Sequence, residues 1–96
     1  MIQSFRNETT ADLFRQRNTR AARRIPQALW RGVQRKLKLL DAAARLDDLL
    51  VPAGNRLEAL KGDRSGRHSI RVNDQYRITF RWESGHAFEV DVEDYH

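Results

Sequence analysis

The sequence predicts an α+β fold in which N-terminal helices pack on one face of a small antiparallel sheet. Two patterns lead to this prediction. In the first half of the 96-residue chain, apolar residues recur every three or four positions, as they do on the buried side of a helix. After residue 55 the pattern changes to alternating apolar and polar residues, with turn-forming residues between the runs. Helices followed by hairpin-linked strands are typical of α+β domains, and the length fits one domain over residues 1–96.

The first residues predict a strand, a short helix and a basic segment. Residues 2–5 have the pattern of a short edge strand. Thr9 resembles a helix N-cap, with Asp12 in place of the glutamate of a capping box, so we expect a helix over residues 10–16. Residues 15–24 contain five arginines and are too polar to pack alone. We interpret them as a loop or a frayed helix end, and as a contact surface.

A longer amphipathic helix is predicted from Pro26, which suits the first turn of a helix because it lacks an N–H donor. The helix has about 20 residues and ends near Leu46. Its apolar positions are Leu29, Val33, Leu37, Leu40 and Ala44. Its outer face is expected to carry Arg31, Arg35, Lys36 and Lys38. Residues 51–55 include the breakers Pro and Gly and end the helical half.

The second half predicts strands joined by turns. They cover residues 56–60, 68–72, 76–82 and 87–92. The two central strands form a hairpin through residues 73–75, because asparagine and aspartate favour tight turns. Its even-numbered positions are apolar, namely Ile70, Val72, Tyr76, Ile78, Phe80 and Trp82. Its odd-numbered positions are polar, namely Ser69, Arg71, Arg77, Thr79 and Arg81.

Side chains of a strand alternate between the two faces of a sheet. We therefore expect one face of the hairpin to build the core, and the other, left open to solvent, to display guanidinium groups. On the last strand, Phe88, Val90 and Val92 share the core parity. Acidic residues of that strand are expected to pair with part of the arginine row. A row of fixed cations is suited to binding phosphate.

The composition indicates a polyanionic partner and excludes several kinds of site. The chain has 18 Lys and Arg against 13 Asp and Glu, a net charge of +5 and no cysteine. Disulfides and thiolate metal sites are therefore excluded, which suits a reducing cytoplasm. No apolar run approaches the roughly 18 residues of a membrane span. Residues 13–40 hold nine basic and no acidic residues, so we expect attraction to RNA, DNA or an acidic protein.

Two motifs of the C-terminal half are similar to those of a known family. The first is Gly-Asn-Arg-Leu-Glu-Ala-Leu-Lys-Gly-Asp-Arg-Ser-Gly at residues 54–66, and the second is Ser-Ile-Arg-Val-Asn-Asp-Gln-Tyr-Arg-Ile at residues 69–78. With the C-terminal Glu-Asp-Tyr-His, they resemble the HigB toxins of the RelE superfamily. The resemblance extends over essentially the whole chain and is strongest from Pro52 onward.

The resemblance implies both a RelE-like fold and a function. HigB toxins are ribosome-dependent endoribonucleases that cleave messenger RNA in the A site without a metal ion, and so inhibit translation. They are neutralised by a helix-turn-helix antitoxin of the HigA type. For this chain the resemblance therefore implies a cytoplasmic toxin whose partners are the antitoxin, the 70S ribosome and mRNA, with no cofactor and no membrane association.

The resemblance also implies four catalytic residues, by their positions in these motifs. Lys61 matches a basic residue near the active site, and Arg77 matches an arginine that contacts the phosphate or the transition state. Tyr95 and His96 match a terminal pair linked to base stacking and proton transfer. Some relatives have a histidine where this chain has Glu58, so the general base is left open among His96, Lys61 and Glu58.

The residue types fit this chemistry independently. Metal-free RNA cleavage needs a base for the 2′-OH, cations for the phosphoryl oxygens and an acid for the leaving 5′-oxygen. Histidine carries protons at neutral pH, and arginine binds phosphate in a bidentate manner. The expected products end in a 2′,3′-cyclic phosphate or 3′-phosphate and a 5′-OH. The expected RNA-binding residues are Arg71, Arg64, Arg56, Arg81, Arg31, Arg35 and Lys36.

Other interpretations fit the same residues. The arginine row and the basic helix are also compatible with ordinary solvated surfaces. Two further hypotheses are a non-catalytic RNA- or DNA-binding module, and a protein whose basic surfaces bind only an acidic partner. His68 has the core parity of a structural histidine, whereas His86 is expected to be solvated in a turn. Asp63 and Asp94 are too few and too scattered to indicate a metal site.

Overall fold

The computed structural model describes residues 1–95, in which two α-helices pack against a four-stranded antiparallel sheet. The helices are α1 at Glu8–Phe14 and α2 at Trp30–Ala42. The strands lie in chain order across the sheet, namely β1 at Glu58–Ala59, β2 at Arg67–Arg71, β3 at Tyr76–Glu83 and β4 at His86–Asp94. The predicted α+β class is confirmed. Within residues 1–95, neither helix is long and apolar enough to cross a membrane.

Short 3₁₀ turns connect these elements. They lie at Ala22–Arg24, Gln27–Leu29, Leu46–Leu50, Ala53–Asn55 and Gly62–Arg64. The basic segment 15–24 is therefore a loop that ends in one tight turn, as the sequence predicted. The strand predicted at residues 56–60 is shorter, because only Glu58 and Ala59 pair with β2.

The N-terminal segment lies along the outer edge of β4, as predicted for an edge strand. Ile2 and Phe5 form parallel bridges with Ala87 and Val90. The Gln3 N–H donates to the Ala87 carbonyl at 2.7 Å. These contacts are isolated bridges rather than a continuous ladder. They nevertheless cover the edge of β4, whose backbone groups would otherwise be unpaired.

The first helix starts earlier than predicted. Asn7, not Thr9, caps α1, since its side-chain oxygen accepts the Thr10 N–H at 2.9 Å. Both residue types are good caps, but the Thr9 hydroxyl donates instead to the Ala21 carbonyl at 2.8 Å. Asp12 lies well inside the helix, so the predicted capping box is wrong.

The second helix is shorter than predicted, with thirteen residues. It is entered through the 3₁₀ turn that follows Pro26, so Pro26 precedes the helix rather than occupying its first turn. The other end comes early because the Asp48 carboxylate accepts the N–H groups of Ala44 and Arg45, at 2.9 and 3.0 Å. These bonds hold the chain in a turn after Ala43, where the backbone becomes extended.

The core lies between the helices and the inner face of the sheet, and it confirms the predicted parity of the hairpin. Ile70, Ile78 and Phe80 are fully buried. The residues that pack with them from the helices and β4 include Leu13, Val33, Leu37, Leu40, Val90 and Val92. A buried side chain of this size contributes about 1.5–3 kcal/mol, so this face holds the helices on the sheet.

A β-bulge in β4 changes the predicted face of Phe88. The pairing register between β3 and β4 shifts just before Arg81, and Glu89 adopts a left-handed backbone with φ of 52°. One extra residue in a strand reverses the alternation, so the side chains before the bulge lie on the face opposite to the one that the residues after it would predict. Phe88 therefore lies on the outer face opposite Arg81, and its predicted core position is wrong.

We expect Asn7→Ala to lower the free energy of unfolding by about 1–2 kcal/mol. The substitution removes the cap of α1 and the 2.8 Å hydrogen bond from Asn7 Nδ2 to the buried Asp91. Urea unfolding followed by circular dichroism measures the change. The control is Asn18→Ala in the exposed loop, which should change stability by less than about 0.5 kcal/mol. Equal losses in the two variants would disprove the capping role of Asn7.

Candidate active site

Arg77 on β3 is anchored to the outer face of its own sheet. Its Nε donates to the Ser69 Oγ at 2.9 Å, and its Nη2 donates to the Arg56 carbonyl at 2.6 Å. Only 9% of the residue is exposed. Because both acceptors are neutral, they fix the plane of the guanidinium group without cancelling its charge.

The outer face is not open to solvent at its centre, where Arg77 is 9% exposed and Ser69 and Thr79 are fully buried. The prediction of an uncovered arginine face is therefore wrong at these positions. The chain reaches β1 through Arg56, whose carbonyl lies against the guanidinium group. Arg56 has a left-handed backbone, with φ of 45° and ψ of 57°, which is uncommon for a residue with a side chain. An alternating sequence pattern predicts a strand, but it does not show which other segment will pack against the side chains of that strand.

Tyr95 brings the end of β4 to the same guanidinium group. Its ring centroid lies 5.9 Å from the guanidinium carbon of Arg77, within cation–π range. Its backbone N–H donates to the Gln75 carbonyl at 2.6 Å, which ties the chain end to the β2–β3 turn. The residue is 40% exposed, so the ring is accessible to a ligand. His96, predicted as a proton-transfer residue, lies outside the described residues.

A second cation, Arg64, is held at this edge by an acidic side chain. Its Nη2 donates to the carboxylate of Glu93 on β4, which also accepts the Thr79 hydroxyl. Its Nη1 lies 3.5 Å from the Tyr95 hydroxyl. Burial alone would raise the pKa of Glu93, but the hydrogen bonds from Arg64 and Thr79 outweigh it, and the pKa lies below its ordinary value. Glu93 is therefore charged at neutral pH and fixes Arg64 beside Tyr95.

The segment around β1 carries two of the predicted proton-transfer candidates. Glu58 lies 3.9 Å from Arg77, and 60% of its side chain is exposed. Lys61 is exposed immediately before the turn Gly62–Arg64. The structure thus brings Glu58 and Arg77 together and places Lys61 in the adjoining loop.

Arginines stand opposite one another twice across β2 and β3. Arg71 is in register with Arg77, and Arg67 is in register with Arg81. Like charges at such positions repel, and nearby carboxylates offset the repulsion. The ion pairs are Arg71–Asp74, Arg67–Glu89, Arg77–Glu58, Arg81–Glu83 and Arg81–Glu89. The predicted pairing with acids of the last strand is confirmed by the two contacts of Glu89.

Arg67 belongs to this face, although the sequence analysis omitted it. Its Nη2 donates to the Thr79 Oγ1 at 3.3 Å and to the Glu89 carbonyl at 2.9 Å. Burial lowers its pKa, and its Nε has no hydrogen-bond partner within residues 1–95. The predicted strand began one residue too late, at residue 68. Extending the odd parity one step back from Ser69 would have included Arg67.

Arg81 lies toward the opposite end of β3 from Arg77. Its guanidinium carbon is 4.6 Å from the centroid of the Phe88 ring. The four residue steps between Arg77 and Arg81 correspond to about 13 Å of strand. Arg81 is therefore separate from the Arg77–Tyr95 contact, and its role in binding RNA stays a prediction.

The basic residues predicted on the outer face of α2 are not all exposed. The exposed ones are Arg31, Arg35 and Lys38. Lys36 is only 9% exposed, and its Nζ donates to the Asn55 Oδ1. Position 36 follows Val33 by three residues, so it lies on the flank of the buried stripe. The predicted place of Lys36 on an exposed RNA-binding surface is therefore wrong.

The two parts of the chain differ in net charge. Residues 1–43 contain ten basic and three acidic residues, whereas residues 44–96 contain eight and ten. Within the described residues, no carboxylate lies within 4.0 Å of Arg15, Arg17, Arg20, Arg23, Arg24, Arg31 or Arg35. The sheet arginines are paired, so the excess positive charge is displayed by the loop and by α2.

The remaining histidines have packing or local contacts. His68 stacks on Phe80 with centroids 5.9 Å apart, and burial lowers its pKa, which supports its interpretation as a structural residue. His86 is not simply solvated, since its Nδ1 lies 3.1 Å from the Gln3 Nε2. Across residues 1–95, no group of three or more His, Cys, Asp and Glu is arranged to hold a metal ion.

We expect Glu93→Gln to lower the free energy of unfolding at pH 7 by about 1 kcal/mol or less, since it removes the ion pair with Arg64. The folded-state pKa of Glu93 is depressed, so its charge stabilises the fold above the unfolded-state pKa. That contribution is lost as the pH falls through the folded-state pKa. The free energies of unfolding of the wild-type protein and Glu93→Gln should therefore converge as the pH is lowered from 7. A gap of constant size across this range would exclude the ion pair as its cause.

Comparison with known proteins points to one family. A model of the family described as the RelE-like toxin of the type II toxin–antitoxin system HigB matches residues 3–96. Toxin HigB-1 of Vibrio cholerae serotype O1 is 47% identical over 68 residues, which are 71% of this chain and 72% of that protein. Endoribonuclease HigB of Proteus vulgaris is 34% identical over 96 residues, the whole of both chains.

Solved structures share the fold at low sequence identity. A YafQ mutant from E. coli superposes with a TM-score of 0.65 and 12% identity, covering 99% of this chain and 94% of that one. The YoeB–YefM complex from Staphylococcus aureus gives a TM-score of 0.61 and 16% identity, covering 100% of this chain and 98% of that one. At these identities the likeness establishes the fold alone.

Proposed function

The chain belongs to the HigB family of RelE-like toxins from type II toxin–antitoxin systems, and we propose that it cleaves messenger RNA in the A site of the ribosome without a metal ion. The Proteus vulgaris relative, aligned over its full length, is an endoribonuclease, and by this kinship the chain is one as well. The observation that carries the proposal is the Arg77 guanidinium group, held by neutral acceptors next to the accessible ring of Tyr95.

In the proposed mechanism, Arg77 binds a non-bridging oxygen of the scissile phosphate. It stabilises the charge that grows there as the 2′-OH attacks, and because it is already anchored it needs no reorganisation during the reaction. Tyr95 stacks on a base of the cleaved codon. Arg64, fixed by Glu93 beside the Tyr95 hydroxyl, supplies a second cation at the same edge.

We assign proton transfer to the three candidates that the sequence left open. Glu58 contacts Arg77 at 3.9 Å, Lys61 lies in the adjoining loop, and His96 follows Tyr95 in the sequence. One of them takes the proton from the 2′-OH, and another protonates the leaving 5′-oxygen. Attack by the 2′-OH forms a new bond to phosphorus as the bond to the 5′-oxygen breaks, which leaves a 2′,3′-cyclic phosphate on one product and a 5′-OH on the other. Water can then open the cyclic phosphate to a 3′-phosphate.

We assign ribosome binding to the side of the molecule that displays the excess positive charge. The arginines of α2 and the loop 15–24 are exposed and have no acidic partners in the described chain. Such residues displace counterions from ribosomal RNA and so bind it in a salt-dependent manner. Binding through this side leaves the outer sheet face directed toward the messenger RNA.

The proposed protein partner is a helix-turn-helix antitoxin of the HigA type, acting in the cytoplasm. YoeB, which shares the fold, forms a toxin–antitoxin complex with YefM in Staphylococcus aureus. The five exposed arginines of the loop 15–24 suit an acidic segment of such a partner. Ribosomal RNA and the antitoxin then compete for overlapping basic surfaces, which provides a means of neutralisation.

We expect Arg77→Ala to lower the rate of mRNA cleavage on saturating ribosomes about 10²–10³-fold, because a preorganised cation is lost from the transition state. Single-turnover assays with mapped 5′ ends measure the rate, and circular dichroism checks the fold. The matched control is Arg45→Ala, which removes an exposed arginine paired only with Asp47 in the described residues and should cleave at the wild-type rate.

Two results bear on different parts of the proposal. If Arg77→Ala cleaved mRNA at the rate of the control, Arg77 would have no role in the active site. Intact messages and normal growth after induction of the wild-type chain would overturn the nuclease function and favour a non-catalytic binding module.

We expect the double variant Arg31→Gln, Arg35→Gln to bind ribosomes more weakly at physiological salt. The slope of log affinity against log salt should fall by up to about 2, because two phosphate contacts are lost. Binding measured at several salt concentrations gives the slope, and cleavage at saturation should be unchanged. The double variant Arg6→Gln, Arg45→Gln removes two exposed arginines outside α2 and controls for the change in net charge. An unchanged slope in the Arg31→Gln, Arg35→Gln variant would remove α2 from the ribosome-binding surface.

A further inference from the structure

Asn55 is a fully buried polar residue at the end of the 3₁₀ turn Ala53–Asn55, which precedes β1. Its Nδ2 donates to the carbonyl groups of Leu49 and Val51, at 3.1 and 3.4 Å. Its Oδ1 accepts from the Nζ of Lys36 on α2. The amide therefore links the second helix to the backbone that precedes β1.

Lys36 is an expensive residue to bury. Burial, and then the charges of Arg35 and Arg71, lower its pKa. A buried charge is tolerated only with good partners, and an apolar side chain of similar length would fill the same space. The packing of α2 alone therefore does not account for a lysine at this position.

The next residue in the chain connects this pair to the candidate active site. Arg56 takes the left-handed conformation directly after Asn55, and its carbonyl accepts from the Nη2 of Arg77 at 2.6 Å. Two backbone hydrogen bonds, from the N–H groups of Asn55 and Arg56 to Pro52 and Ala53, hold the same turn at 3.0 and 3.1 Å. The position of the carbonyl thus depends on where Asn55 is held.

We propose that Lys36 and Asn55 are positioning residues that set the orientation of Arg77 through the Arg56 carbonyl. The inference rests on the proposed nuclease function, in which Arg77 meets the scissile phosphate. The hydrogen bond from Lys36 anchors Asn55 to α2, Asn55 fixes the turn, and the turn presents the carbonyl that holds the guanidinium plane. Lys36 acts on catalysis from the buried side of the turn that precedes β1, without touching RNA.

The chain offers a matched pair of substitutions for testing this role. Lys36→Met keeps an unbranched side chain but removes the hydrogen bond to Asn55. Lys38→Met removes the same charge from an exposed position of the same helix. Single-turnover cleavage is measured over a range of ribosome concentrations with each full-length variant, which separates the maximal rate from the concentration that gives half of it.

We expect Lys36→Met to lower the maximal cleavage rate about 10- to 100-fold, because a small displacement of a catalytic group has effects of this size. Its half-saturating ribosome concentration should stay within about twofold of the wild-type value, since the buried Lys36 makes no contact with ribosomal phosphates. Lys38→Met should retain the wild-type maximal rate. Lys36→Gln, which keeps a donor for Asn55 without the charge, should recover most of the lost rate.

A second readout does not depend on cleavage. The Arg77 Nε–H resonance in a ¹⁵N–¹H spectrum should shift in Lys36→Met and stay in place in Lys38→Met, because only the first variant frees Asn55. This spectrum also shows whether each variant is folded. The spectrum remains informative even if the wild-type chain cleaves no RNA. That result would overturn the nuclease function, whereas the Arg77 resonance would still show whether Lys36 and Arg77 are structurally coupled.

Two outcomes would refute the proposal. Equal maximal rates in Lys36→Met and Lys38→Met, with weaker ribosome binding in the former, would make Lys36 an RNA contact. An Arg77 resonance that is unchanged in folded Lys36→Met would show that the turn holds its carbonyl without help from α2.

Discussion

The candidate site depends on the two hydrogen bonds that hold the Arg77 guanidinium group against its own sheet. The Ser69 hydroxyl and the Arg56 carbonyl accept from it without carrying a charge. The cation is therefore fixed in place but still able to bind an anion. A mobile arginine would lose side-chain entropy on binding RNA, whereas here the fold has already restricted it. Tyr95 then adds an accessible aromatic ring next to the same group.

The distribution of charge separates the molecule into two surfaces with different tasks. On the sheet, arginines face arginines across β2 and β3, and carboxylates offset their repulsion. The arginines of this surface are thus held in place by ion pairs, and in the proposed function they meet the RNA backbone. The loop and α2 instead display arginines without acidic partners in the described chain. Their field acts at a distance, and in the proposed function it attracts ribosomal RNA before the sheet meets the messenger RNA.

The sequence predicted what depends on local pattern. Alternation along the hairpin gave its core face, with Ile78 and Phe80 buried, and the helical period gave the buried stripe of α2. Tyr95 was assigned by family resemblance rather than by spacing. Three features were missed because they depend on contacts distant in sequence: the contact of the Arg56 carbonyl with Arg77, the bulge at Glu89 and the burial of Lys36. No sequence pattern predicts that a glutamate or an arginine will adopt a left-handed conformation. Helical periodicity also does not reveal that the Asn55 side chain would accept a hydrogen bond from Lys36.

A structure of the chain on a ribosome tests the central claim most directly, with a 2′-deoxynucleotide at the cleavage position of the mRNA to remove the nucleophile. We expect the scissile phosphate within hydrogen-bonding distance of the Arg77 guanidinium group and a base stacked on the Tyr95 ring. The guanidinium group should keep its contacts with Ser69 and Arg56, since preorganisation is the basis of its proposed role. A scissile phosphate bound elsewhere, with no RNA on the outer face of the sheet, would contradict this account of the site.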